Sequence, residues 1–223
     1  MNKPIEKSAD GEATPLKSIM KWVGIVVAVL SLIAGVRQFI SLTAESTERD
    51  RRFTELLKIG AAQQTAKDYA QAWSSLEAAL TQAEQGNFLA KLTGRLGEQR
   101  QQVRTAQEDL AMRWLENVSV PEGKTFANVV DPLLPVLHRG AVAATGARVS
   151  DLYAHIGWGY FLKRRDGQSA LDPEPWYSMA LQADADNPYA HAYAAHWQVW
   201  NNKSLDGAMR EFDAALAGNR ERT

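Results

Sequence analysis

The run GIVVAVLSLIAGVRQFI, residues 24 to 40, constrains this chain more than any other feature, because Arg37 is its sole charge. With its flanks it extends from Trp22 to Leu42, 21 residues. At a helical rise of about 1.5 Å per residue, that length matches a hydrocarbon layer about 30 Å thick. Such a segment is an anchor, a cleaved signal or a buried core helix. Arg37 lies near the C-terminal end, where its stem can reach the headgroups, and Trp22 suits the interface at the other edge. Leu42-Thr43-Ala44 offers only one of the two small residues that a signal cleavage site needs. The expectation is therefore an uncleaved single-pass transmembrane helix at 22–42, with the lipid bilayer as a partner, in an integral protein of a bacterial inner membrane. Lys17 and Lys21 nearly balance Arg37, Arg49, Arg51 and Arg52, so the positive-inside rule leaves orientation open. A short tail kept inside favours an extracytoplasmic C-terminal domain over a cytoplasmic one. Gly24, Ala28, Ser31 and Gly35 share one helix face, which reads either as a pairing stripe or as ordinary span composition.

Outside the run the chain reads as one helical domain with short attachments. Residues 1–21 have almost no apolar periodicity and read as a disordered tail, and 43–52 as a charged linker or short solvated helical stalk. In the 223-residue chain, Lys and Arg are interspersed with Asp and Glu to a formal charge of −1. No basic stripe for nucleic acid is present. The absence of cysteine excludes disulfide scaffolds, thiol catalysis and thiolate zinc sites.

From residue 53 a pattern recurs. In LLKIGAAQQTAKDYAQAWSSLEAAL, Leu56, Ile59 and Gly60 precede a polar turn at Lys67-Asp68-Tyr69, and Ala72, Leu76 and Ala79 follow it. Tyr153, Ile156, Gly157 and Tyr160, then Trp176, Tyr177 and Ala180, repeat the order across a longer loop. A third instance opens at Asn187-Pro188 and closes with Ala208, Phe212 and Ala215. This order of large and small residues resembles the tetratricopeptide repeat. The departures are Leu56 for Trp, Gln63 for Tyr, Leu76 for the aromatic and Glu84 for Pro, with four extra loop residues in the second unit and one inserted residue in the third. The resemblance implies an all-α fold of stacked helix pairs, with units at 53–84 and, as two units, 150–223. It implies close helix crossings at Gly60, Ala72, Gly157 and Ala208.

Between these units, at 85–149, Leu89, Leu92, Leu96, Val103, Ala106, Leu110 and Trp114 step by threes and fours, so 87–117 reads as one long amphipathic helix. It either pairs two chains as a coiled coil, making a homo-oligomer possible, or packs on its own domain. Thr125 can cap a short helix, and Asp131-Pro132 can start another. In the last helix, Asp206 to Ala217, Ala208, Met209, Phe212 and Ala215 are expected to face inward, with Gly218 as its C-terminal cap.

Catalytic chemistry has no motif to rest on. The four histidines, His138, His155, His191 and His196, form no i, i+4 pair, so no metal or other cofactor is expected. Asp184 and Asp186 lack the Gly and Glu of a calcium loop and read as an inter-repeat turn. The remaining function is recognition. By the resemblance, first helices line a concave groove that would present Trp158, Phe161, Tyr189, His196 and Trp200 to a protein or peptide partner, unless these aromatics are core. Lys163, Arg164 and Arg165 beside it either read a carboxylate or form a solvated helix end. The overall expectation is a membrane-anchored, non-enzymatic scaffold or adaptor. The alternative is a structural anchor that oligomerises through its span and long helix.

Overall fold

In the computed structural model the chain is all-α. Residues 15–85, 94–120 and 122–221 are described; along the first helix the side chains are described at Ser31, Arg37, Gln38, Ser41 and from Ala44, and at the other end up to Gly218. Eight helices and no strand occur among the described residues. In chain order they are α1 Pro15–Thr65, α2 Tyr69–Glu84, α3 Arg95–Glu116, α4 Phe126–Ala143, α5 Gly146–Arg165, α6 Glu174–Ala183, α7 Pro188–Trp200 and α8 Leu205–Glu221. The chain divides into two units, Met1–Asp50 and Arg51–Thr223.

The membrane anchor expected at 22–42 is corrected here. Among the described residues no helix is long and apolar enough to cross a membrane. The side chains described along 22–42, Ser31, Arg37, Gln38 and Ser41, are exposed and polar. The integral single-pass location, its orientation and the bilayer partner lose their support together. The rest of the run, including Gly24, Ala28 and Gly35 of the small-residue face, has its side chains outside the described residues, and Ser31 is exposed. Residues 43–52 are helical and continue α1, the stalk form of the expected charged linker.

In the second unit, local chemistry sets the helix ends and burial sets their pairing. Lys67 (φ 61) turns the chain after α1, where the Asp68 N–H donates to the Gln63 carbonyl (2.9 Å) and the Asp68 carboxylate accepts from the Gln71 N–H (3.3 Å). α2 then lies against the end of α1. A Cβ on Gly60 would sit 3.4 Å from Leu76 Cδ2 and 3.6 Å from the Ala72 carbonyl oxygen, which is ordinary contact. Ile59, next to Gly60 in the recurring order, is exposed. Alanine fits at Gly60 without displacing anything and stiffens the helix. We therefore expect Gly60→Ala to raise stability by up to about 1 kcal/mol, checked as a higher denaturation midpoint; a lower midpoint would mean that the helices cross more tightly than this geometry allows.

α3 starts only after Gly94, whose φ of 71 is not helical, so the expected helix from residue 87 is shorter. Leu89 and Leu92 lie outside the described residues. The seam of α3 is consumed within its own chain: Val103 and Leu110 join Phe53, Leu76 and Ala79 in one core, while Ala111 and Leu115 join Leu133, Ile156 and Tyr177 in another. α4 does not restart at Asp131-Pro132 but runs through Pro132 and Pro135. Each internal proline costs about 3 kcal/mol, and burying Val130, Leu133, Leu134 and Leu137 on one face offsets that. α5 is the centre of the unit, packing against α3, α4, α6 and α7, and α7 packs in turn on α8. α8 continues past Gly218, which is therefore not a cap. Met209, expected inward, is exposed, whereas Ala208 and Ala215 are buried.

Candidate functional site

α5 and α7 bring most of the expected groove residues together, at different depths. The Trp158 indole N–H donates to the Leu115 carbonyl (3.1 Å), which fixes the ring between α3 and α7. One stacked partner is Tyr193, with centroids 4.6 Å apart and planes 13° off parallel; another is Phe161 at 4.9 Å. His196 tilts against Trp158 at 5.6 Å, and Trp200 meets Phe161 edge-on at 5.9 Å and stacks on Trp197 at 5.5 Å. Phe161 and Trp197 are core residues, Trp158 and Tyr189 are half-buried, and His196 and Trp200 are exposed, Trp200 by 42%. The surface is thus an exposed His196 and Trp200 edge on a buried aromatic base, and Phe161 belongs to the base. Stacked rings lose few rotamers on binding, which suits a contact surface.

The neighbouring basic cluster serves the fold. Lys163 pairs with Asp131 (2.5 Å), and Arg164 donates to the Ala170 carbonyl (2.9 Å) with its guanidinium 5.3 Å from the Trp197 centroid. Arg165 lies over Phe126 at 4.2 Å.

A second feature was not singled out in the sequence. On α3, α5 and α7, Asp109, Arg113, Glu116, Asp151, His155 and Tyr189 line a polar recess of about 250 Å³. His155 is only 1% exposed. Its Nδ1 donates to the Asp151 carbonyl (2.7 Å), while Nε2 lies 3.1 Å from Glu116 Oε1 and 3.3 Å from the Tyr193 hydroxyl. Burial pushes the Tyr193 phenol well above the usual tyrosine range, so it keeps its hydrogen. With both ring nitrogens engaged, His155 braces three helices and turns no free nitrogen toward the recess. The only signal for this was three separate residues at 116, 155 and 193, whose meeting depends on helix packing. Beside it, Arg148 bridges Glu108 (2.9 Å) and Asp109, tying α5 to α3. Burial opposes the Arg148 charge, but the hydrogen bonds that it donates to both carboxylates raise its pKa on balance. No group of three or more His, Asp or Glu side chains is placed to hold a metal ion among the described residues.

The expected crossing residues lie where helices touch. Ala72 and Ala208 are buried, at 0% and 1% exposure. At Gly157 an added Cβ would sit 2.5 Å from Tyr177 Cε1. No family model, no curated protein and no solved structure matches this chain.

Proposed function

We propose that the chain is a helical-repeat adaptor of the tetratricopeptide kind, and that it binds a protein or peptide partner rather than catalysing a reaction. The observation that carries this reading is the aromatic surface of α5 and α7. There His196 and Trp200 stand exposed on a base of Phe161, Tyr193 and Trp197 that cannot rearrange without disturbing the core. The recurrent Gly and Ala spacing in the sequence and the close approach at Gly157 support the repeat assignment. The long helix α3 is buried in its own unit, so it lends nothing to a coiled-coil oligomeriser.

The test is selection from a displayed peptide library against the full chain, followed by Trp200→Ala with His196→Ala. A shared peptide motif is expected. Its binding should weaken at least about thirtyfold in the double variant, the loss of a hot spot worth about 2 kcal/mol. The thermal midpoint should stay within a few degrees because both side chains are exposed. Enrichment of no motif, or equal affinity for the variant, would remove this surface from the partner contact.

A further inference from the structure

Along α8, Leu205, Met209, Phe212 and Leu216 fall at i, i+4, i+7 and i+11, the spacing of a seam that packs against another helix. In the fold this stripe is unfilled: Leu205, Met209 and Leu216 are 67%, 54% and 62% exposed, and Phe212 is half-buried. α8 spends a different face on α7, where Ala208 and Ala215 are buried. On one side of the stripe, an apolar groove of about 580 Å³ runs between α7 and α8, lined by Pro188, Tyr189, Ala192, Phe212, Ala215 and Leu216. On the other side stand Asp206 and Asp213, both exposed, with Arg210 a step further round.

We propose that this seam is a second docking surface, and that its occupant is an amphipathic helix of a partner protein. That helix would set large apolar side chains into the α7–α8 groove and carry Lys or Arg along the edge that faces Asp206 and Asp213. The charges choose this occupant over a second copy of the chain. An antiparallel α8–α8 pair would set Leu205 against Leu216 and Met209 against Phe212, which is sterically good. The same register brings Asp206 beside Asp213 of the other copy, twice over, and like charges across a helix pair are destabilising. A basic edge converts both contacts into attraction. The seam adjoins the aromatic surface of α5 and α7, since Phe212 meets His196 edge-on at 5.5 Å and Tyr189 lines the groove. Its test reads Asp206, Met209, Asp213 and Leu216, which the adaptor test leaves unchanged, so failure of one reading is distinguishable from failure of the other.

The probe is a pair of synthetic amphipathic peptides with an identical leucine seam, one flanked by Lys and one by Glu, titrated into the full chain by fluorescence anisotropy. The Lys peptide should bind about tenfold more tightly at low salt, and the margin should shrink as salt rises. Asp206→Lys with Asp213→Lys should reverse the preference, and Met209→Gln with Leu216→Gln should abolish binding of both peptides without lowering the thermal midpoint. Equal affinity for the two peptides, or a charge-reversed chain with unchanged preference, would overturn the proposal. A concentration-dependent dimer in sedimentation that Met209→Gln with Leu216→Gln abolishes would overturn it in favour of a second copy.

Discussion

Gly157→Ala is expected to lower stability by about 1 to 3 kcal/mol, and Gly157→Leu to prevent α5 and α6 from closing at all. The alanine result runs against helix propensity, which favours Ala over Gly by about 1 kcal/mol. Geometry decides the sign. A Cβ at 157 would sit 2.5 Å from Tyr177 Cε1 and 2.9 Å from Cδ1, closer than carbon atoms can pack, with Trp176 Cβ tight at 3.1 Å. Tyr177 has nowhere to go: it is 2% exposed, inside the core that holds Ile156, Ala180 and Tyr193. Its buried hydroxyl has no hydrogen-bond partner among the described residues, so the ring is held by packing. Tyr177→Leu should therefore rescue part of the loss in the Gly157→Ala background, since a smaller side chain vacates the contact. Denaturant midpoints of the four chains measure this, with an unchanged slope as the control. A Gly157→Ala midpoint equal to or above the starting one would show that the helices separate at little cost. Gly60→Ala supplies the contrast, because its nearest contact of 3.4 Å leaves room for the methyl group.

These two glycines also show what the sequence could reveal. Spacing alone put Gly60 and Gly157 in equivalent places, and both lie against a second helix, but spacing carries no information on how close that helix comes. The all-α class was legible because apolar residues recur at helical intervals through most of the chain, and the Asn187-Pro188 helix start was legible because a side-chain acceptor followed by proline is a local signal. Pro132 misled for the complementary reason. Local propensity ends a helix there, whereas the burial of Leu133, Leu134 and Leu137, decided by residues far along the chain, carries it through. Met209 fails in a similar way: apolar residues on adjoining faces of α8 cannot all reach α7, and the small Ala208 and Ala215 take the close contact. The groove residues were picked out by the resemblance to the repeat, which marked an aromatic-rich pair of helices. Depth separated Phe161 from Trp200, and depth depends on how the helices pack, which spacing does not encode. The recess at His155 was illegible because its groups lie about 39 residues apart in each direction.

Asn187→Ala is expected to cost roughly 3 to 4 kcal/mol, which is large for a single polar side chain. Asn187 is completely buried and uses both ends of its amide. Its Oδ1 accepts from the Ala190 N–H (2.9 Å), capping α7, a contact worth about 1 kcal/mol. Its Nδ2 donates to Ser150 Oγ and to Asp151 Oδ1, each at 2.7 Å, and the second of these reaches a carboxylate, where a hydrogen bond is worth about 1.5 to 3 kcal/mol. Ser150 passes the chain on by donating to the Ala180 carbonyl (2.8 Å), so one amide fastens the start of α7 to α5 and, through Ser150, to α6. Asn187→Asp separates the two roles. Aspartate caps as well as asparagine, but it has no N–H to give, and it would place a carboxylate beside Asp151 without exposure to water. If the cap alone mattered, the Asp variant would match the starting protein. We expect it instead to be at least as unstable as the Ala variant near pH 7, and to recover partly on acidification, when protonation removes the repulsion and restores a donor. Thermal midpoints of the three chains at neutral and acidic pH distinguish the cases. A stable Asn187→Asp chain at neutral pH would reduce this network to an ordinary helix cap and leave the α5–α7 contact to apolar packing.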